Sequence, residues 1–182
     1  MVTQRSRLKF TYEDYKQTPD DTRYELLDGE LILVPAPRLT HQRTSRTIFR
    51  QLDSFVTEND LGEVFYAPAD VVLSDFNVLQ PDILFVSNER SYIMTDDNVQ
   101  GAPDLVVEVL SPSTAQRDRT IKRELYAQHG VPEYWQADED AKHVQVLTLV
   151  DGEYKVAGIY DEGQTVVSPL LPGFRLAVDD LF

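Results

Sequence analysis

The chain contains no cysteine. No disulfide can staple it and no thiolate can hold zinc. No apolar run approaches the roughly 20 residues that a membrane-spanning helix needs. The opening stretch, Met1-Val2-Thr3-Gln4-Arg5-Ser6-Arg7-Leu8-Lys9, lacks the hydrophobic centre of a secretory signal. The expectation is a soluble, cytoplasmic protein that makes no use of a membrane. Positive charge is also scarce. Only 17 Lys and Arg stand against 31 Asp and Glu, a net charge of −14. An acidic body repels a phosphate backbone, which disfavours loose coating of nucleic acid. The scarcity is uneven, however. The first fifty residues hold nine basic against seven acidic side chains, and the next fifty hold one against ten. Repeats, low-complexity tracts and linkers are absent as well.

What is present suits one folded unit. With 182 residues, 42% hydrophobic and 26% charged, the chain can bury a full core and has little room for a second. The expectation is a single domain over residues 1–182. Asp28-Gly29 and Asp151-Gly152 each separate two apolar runs, a strong hairpin signal. Thr11 to Gln17 reads as a short capped helix, followed by a loop at Pro19-Asp20-Asp21. His41 to Thr57 reads as an amphipathic helix capped by Thr40, with Ile48, Leu52 and Phe55 on its apolar face. Strands are expected between Gly62 and Leu73, from Gln80 to Ser87, from Val131 to Asp138, and from Val144 to Val150. Ser87 to Gly101 reads as a loop with at most one helical turn, and Val178 to Phe182 as a short helix. Hairpins mixed with two substantial helices imply an α/β or α+β fold around a mixed sheet.

The most informative stretch runs from Pro103 to Lys122. Leu105 to Leu110 is a short apolar, β-branched run closed by Ser111-Pro112, the pattern of a buried strand. Glu108 stands in its middle. A lone buried carboxylate costs several kcal/mol or more unless a cation meets it. A helix follows, capped at Ser113 or Thr114 and ended by Gly130-Val131-Pro132. At ~100° per residue, Lys122 falls inside the apolar stripe of that helix, between Leu125 and Tyr126. A core-facing lysine needs a carboxylate partner. Glu108 is the natural one.

Asp82 opens the strand before this one. Asp82 and Glu108 are carboxylates on two core strands, and Lys122 is a cation aimed between them. Hard cations such as Mg²⁺ or Mn²⁺ bind one or two carboxylates together with substrate oxygens and water. Such an ion polarises a phosphoryl oxygen and acidifies a water. A structural Glu–Lys pair with Asp82 capping a loop fits the same residues. On the helix from His41, the residues Arg43, Arg46 and Arg50 share a face; a solvated face and a basic stripe for phosphates both fit. Tyr134 and Trp135 read as core rather than as a base-stacking platform.

The wider pattern resembles a known family. Tyr24-Glu25-Leu26-Leu27-Asp28-Gly29, His41 at a helix start, Gln80-Pro81-Asp82, Gly101-Ala102-Pro103-Asp104 through Ser111-Pro112-Ser113-Thr114, Asp118, Lys122, Tyr126 and Gly130-Val131-Pro132-Glu133-Tyr134-Trp135 are similar to the "putative restriction endonuclease" (Uma) family of the PD-(D/E)XK nuclease superfamily. The similarity runs from about Tyr12 to Phe182. It implies a restriction-endonuclease-like mixed β-sheet core flanked by helices, with additional β-hairpins. It implies a metal-dependent DNA endonuclease that holds Mg²⁺ or Mn²⁺ on Asp82 and Glu108. The superfamily lysine lies two positions after the glutamate, where this chain has Leu110. Lys122 would then supply the charge from the next helix. Glu25 is the candidate extra acid, Asp118 would hold Lys122, and Gln80 would line the site. His41, Arg43, Arg46, Arg50, Arg119 and Arg123 are the candidate DNA contacts. An enzyme cutting both strands would be expected as a homodimer. The alternatives are a catalytically silent nuclease fold serving as an interaction or regulatory module, and a carboxylate-based hydrolase acting on sugars.

Overall fold

In the computed structural model the described residues are 8–19 and 21–182. Residues 1–7, and Asp20 in the loop expected after the first helix, lie outside them. Thr11 opens α1 (Tyr12–Tyr15) with a reciprocal capping box. The hairpin β1 (Tyr24–Leu27) and β2 (Glu30–Leu33) follows. Its turn residues Asp28 and Gly29 have φ of 49° and 79°, the left-handed pair of a two-residue hairpin turn.

α2 (Leu39–Glu58) is the longest helix. It begins two residues before the expected start, after Arg38, which provides no side-chain cap. Thr44, Ile48, Leu52 and Val56 form its buried stripe. Phe55, expected in that stripe, sits at its edge, with its ring edge-on to Phe174 at 5.6 Å. Next come β3 (Gly62–Tyr66), β4 (Val71–Ser74), β5 (Asn77–Leu79) and β6 (Ile83–Ser87). Residues 87–101 hold more structure than expected: a 3₁₀ turn (Asn88–Ile93) and β7 (Val99–Gln100). β8 (Leu105–Leu110) is buried at every residue. The helix after it is continuous in three parts: α3 (Ala115–Arg117), a π turn (Asp118–Lys122) and α4 (Arg123–Gln128). β9 (Glu133–Asp138), β10 (His143–Val150) and β11 (Glu153–Asp161) follow, with Asp151-Gly152 turning the last hairpin. β12 (Thr165–Val167), β13 (Arg175–Ala177) and a 3₁₀ turn (Val178–Asp180) close the chain.

The fold is α+β. A six-stranded mixed sheet in the order β11-β10-β9-β8-β6-β3 forms the middle layer. Only the β8–β9 pair in it is parallel, and the helix over 115–128 makes that crossover. A five-stranded sheet, β2-β1-β5-β4-β7, packs beside it. Alternate residues of β8 serve two cores. Leu105, Val107 and Val109 meet Ile48, Leu52 and Val56 of α2. Val106 faces Leu84, Leu125 and Tyr126 on the other side. Glu108 shares that second face by strand parity, and so does Leu110.

Candidate active site

The register of β6 against β8 sets Ile83 opposite Val107. One further step brings Asp82 opposite Glu108, which is how a separation in sequence becomes adjacency. Asp82 Oδ2 accepts the Val109 N–H at 2.8 Å and lies 3.1 Å from His41 Nε2. Lys122 enters from the π turn. Its Nζ lies 2.9 Å from Glu108 Oε1, 2.8 Å from Glu25 Oε1 and 3.6 Å from Asp118 Oδ1. Tyr126, one turn further on, donates its hydroxyl to Glu108 Oε1 at 2.8 Å. Glu25, on β1, is buried, and its Oε1 accepts the Gln80 N–H at 2.9 Å. The Gln80 side chain is itself held by Arg23, Asp70 and Tyr15. The five-stranded sheet thus delivers Glu25 to a site built on the six-stranded one.

The π turn carries both Asp118 and Lys122 into the core. Such widened turns are frequent at functional sites. The Asp118 carbonyl takes two donors from β9, the Tyr134 hydroxyl at 3.0 Å and Gln136 Nε2 at 3.2 Å. Strand and helix are therefore locked at the site.

The cluster gathers four carboxylates, Glu25, Asp82, Glu108 and Asp118, around one ammonium and one imidazole. Burial raises Glu108 well above the usual carboxylate range; Lys122 opposes this, while Asp118, Asp82 and Glu25 add to it. Burial likewise raises Asp118 against the pull of Lys122. For Lys122, burial favours the neutral amine, but Glu108, Glu25 and Asp118 outweigh it and the pKa rises well above 10.5. His41 is pulled down by burial but raised overall by the hydrogen bond and charge of Asp82, with Glu139 helping.

Excess buried negative charge of this kind fits a divalent cation. Asp82 Oδ1 and Glu108 Oε2 lie outside the hydrogen bonds just described, and Asp118 Oδ1 is buried without a hydrogen-bond partner. Among the described residues, no group of three or more His, Asp or Glu side chains is arranged to hold a metal ion. The donor set is an open pair of carboxylates, the kind that substrate oxygens and water complete for a hard cation.

This cluster forms the floor of a cavity of about 700 Å³. Of the expected site residues, Glu25, His41, Arg46, Arg50, Gln80, Asp82, Glu108, Asp118 and Lys122 all line it. Arg43, Arg119 and Arg123 do not. Arg43 is exposed on a neighbouring face of α2. Arg119 pairs with Asp138, and Arg123 donates to the Tyr154 carbonyl at 3.2 Å. Three other arginines, Arg23, Arg38 and Arg117, take their place in the cavity wall. Arg38 could have been found by extending the helical spacing of Arg46 and Arg50 back by two turns. Tyr126 could have been found from its place one turn after Lys122. Tyr134 and Trp135 are fully buried core residues.

Comparison with known proteins adds three findings. The family model described as "Uma2: Putative restriction endonuclease" matches residues 11–179. No curated protein matches the chain. A solved structure from Anabaena variabilis ATCC 29413, titled a putative nuclease belonging to DUF820, superposes with a TM-score of 0.79 at 23% identity, covering 95% of this chain and 97% of that one. At that identity the likeness speaks for the fold.

Proposed function

Because the chain belongs to the Uma2 family, described as putative restriction endonucleases, we propose that it is a Mg²⁺- or Mn²⁺-dependent endonuclease that hydrolyses phosphodiester bonds in DNA. The observation that carries this reading is the meeting of Asp82, Glu108 and Lys122 at the cavity floor, with Lys122 Nζ 2.9 Å from Glu108. Asp82 and Glu108 would hold the ion. When bound, such an ion supplies Lewis acidity for a phosphoryl oxygen and acidifies a water. Lys122 would act electrostatically, fixing Glu108 and offsetting charge building at phosphorus. Glu25 and Asp118 hold Lys122 from two sides. His41, beside Asp82, and the cavity arginines would meet phosphate oxygens. Cutting both strands of a duplex in one encounter would call for a homodimer; a cut confined to one strand would not. Among the described residues no helix is long and apolar enough to cross a membrane.

One observation favours a second reading, a catalytically silent nuclease fold. Leu110 occupies the strand position of the superfamily lysine and is buried. Two measurements separate the readings: calorimetric titration with Mn²⁺ and Mg²⁺ in the presence of a DNA oligonucleotide, and incubation of plasmid DNA with each metal. The nuclease reading expects metal binding and cleavage, both lost in Asp82→Ala and Glu108→Ala and stopped by a chelator. Neither binding nor cleavage at millimolar metal would leave the silent module.

A further inference from the structure

We propose that the cavity takes an unpaired stretch of DNA strand, with its phosphates along α2 and one base stacked on Tyr66. This rests on the nuclease reading above and narrows its substrate. The first observation is the spacing of the wall. Arg38, His41, Ser45, Arg46, Phe49 and Arg50 all line the cavity, and steps of three and four residues put them on one helix face. From His41, beside Asp82, to Phe49 the helix rises ~12 Å at 1.5 Å per residue. Arg38, Arg46 and Arg50, with Arg117 from the opposite wall, make no ion pair among the described residues, although the chain carries a net charge of −14. Cations left unpaired in so acidic a chain are free for an anionic ligand.

The second observation is Tyr66. It ends β3 on the same face as Val64, which is buried in the core against α2. The core stops before Tyr66, leaving it 61% exposed at the cavity. Its ring is propped from behind by Phe49, with centroids 4.8 Å apart and planes at 67°. An edge-to-face prop leaves a ring face available. Isolated exposed aromatics are ordinary on protein surfaces. This one shares the cavity lining with Arg46 and Arg50, which flank its Phe49 prop in sequence. Arginines for the backbone and an aromatic for a base are the two parts of a single-strand platform. A duplex keeps its base faces stacked inside and cannot offer one to a side chain without extruding the nucleotide. At about 700 Å³, the cavity also falls within the roughly 300–1,000 Å³ of pockets that enclose small ligands.

The test uses fluorescence anisotropy with a labelled DNA strand of about 12 nucleotides, alone and annealed to its complement, in Ca²⁺. The probe is titrated with wild type, Tyr66→Ala and Tyr66→Phe. The single strand should bind more tightly than the duplex. Tyr66→Ala should weaken single-strand binding by about 5- to 150-fold, and Tyr66→Phe, which keeps the ring, should restore it. Tighter binding of the duplex, or no loss in Tyr66→Ala, overturns this inference and leaves the nuclease reading standing. Preference for an RNA strand of the same sequence, or no binding of either DNA form, overturns both.

Discussion

Lys122 is 5% exposed and has three carboxylates within 3.6 Å. Burial disfavours its charge, and the three carboxylates outweigh that. Removing one partner of a buried ion pair strands the other, at a cost of about 3–5 kcal/mol. Lys122→Met should therefore lower unfolding free energy by about that much, read from urea denaturation at neutral pH. Glu25→Gln should cost less, about 1–2 kcal/mol. The amide oxygen can still accept the Gln80 N–H, and Lys122 keeps Glu108 and Asp118. Similar losses in the two variants would mean that Glu25 alone holds the lysine. Tyr126→Phe removes one buried hydrogen bond to Glu108 and should cost about 1–3 kcal/mol in the same assay.

The elements were legible in the sequence to the extent that they repeat a pattern over several residues. β8 declared itself by six apolar-rich positions and the Glu108 charge inside them. The helix after it declared Lys122 by its place in the apolar stripe. Both hairpins declared themselves by Asp-Gly. β5, β7, β12 and β13 span two or three residues each, too short for alternation to register. The π turn left no periodic mark, because one extra residue in a helix is invisible until the next turn packs. Arg119 and Arg123 illustrate a different limit: their charge was readable, but their partners Asp138 and the Tyr154 carbonyl lie on other strands. Glu133 is a buried carboxylate of the same hidden kind. It accepts from Trp135 Nε1 at 2.7 Å, from the Ser168 hydroxyl at 2.6 Å and from the Leu170 N–H at 2.9 Å. It ties β9 to the segment whose Leu171 and Phe174 share a core with α2. Glu133→Ala would orphan two buried donors and a half-buried one, at about 1–3 kcal/mol for each buried donor before relaxation. A loss of at least 3 kcal/mol is expected. Trp135, the chain's one tryptophan, should report it as a shift in fluorescence already present before global unfolding; an unchanged spectrum with an unchanged midpoint would count against the clamp.

At the scale of the whole molecule, the net charge of −14 and a DNA substrate pull in opposite directions. Long-range attraction cannot draw the strand in, so short-range cations must hold it. Arg38, Arg46, Arg50 and Arg117 line the cavity. Neutralising Z phosphates of a single strand gives a slope of about −0.7Z in log affinity against log salt. Four contacts would give about −3. The acidic surface outside the cavity is screened by the same salt, with a Debye length of about 10 Å at 0.1 M. Relief of that repulsion works against counterion release, so the observed slope should be shallower than −3, and shallowest at low salt where repulsion reaches furthest. Arg46→Ala combined with Arg50→Ala should remove about half of the phosphate contribution. In that variant repulsion weighs more heavily, and affinity should fall with salt less than half as steeply as in wild type between 50 and 200 mM. An unchanged slope in the double variant would mean that the strand runs elsewhere on the molecule.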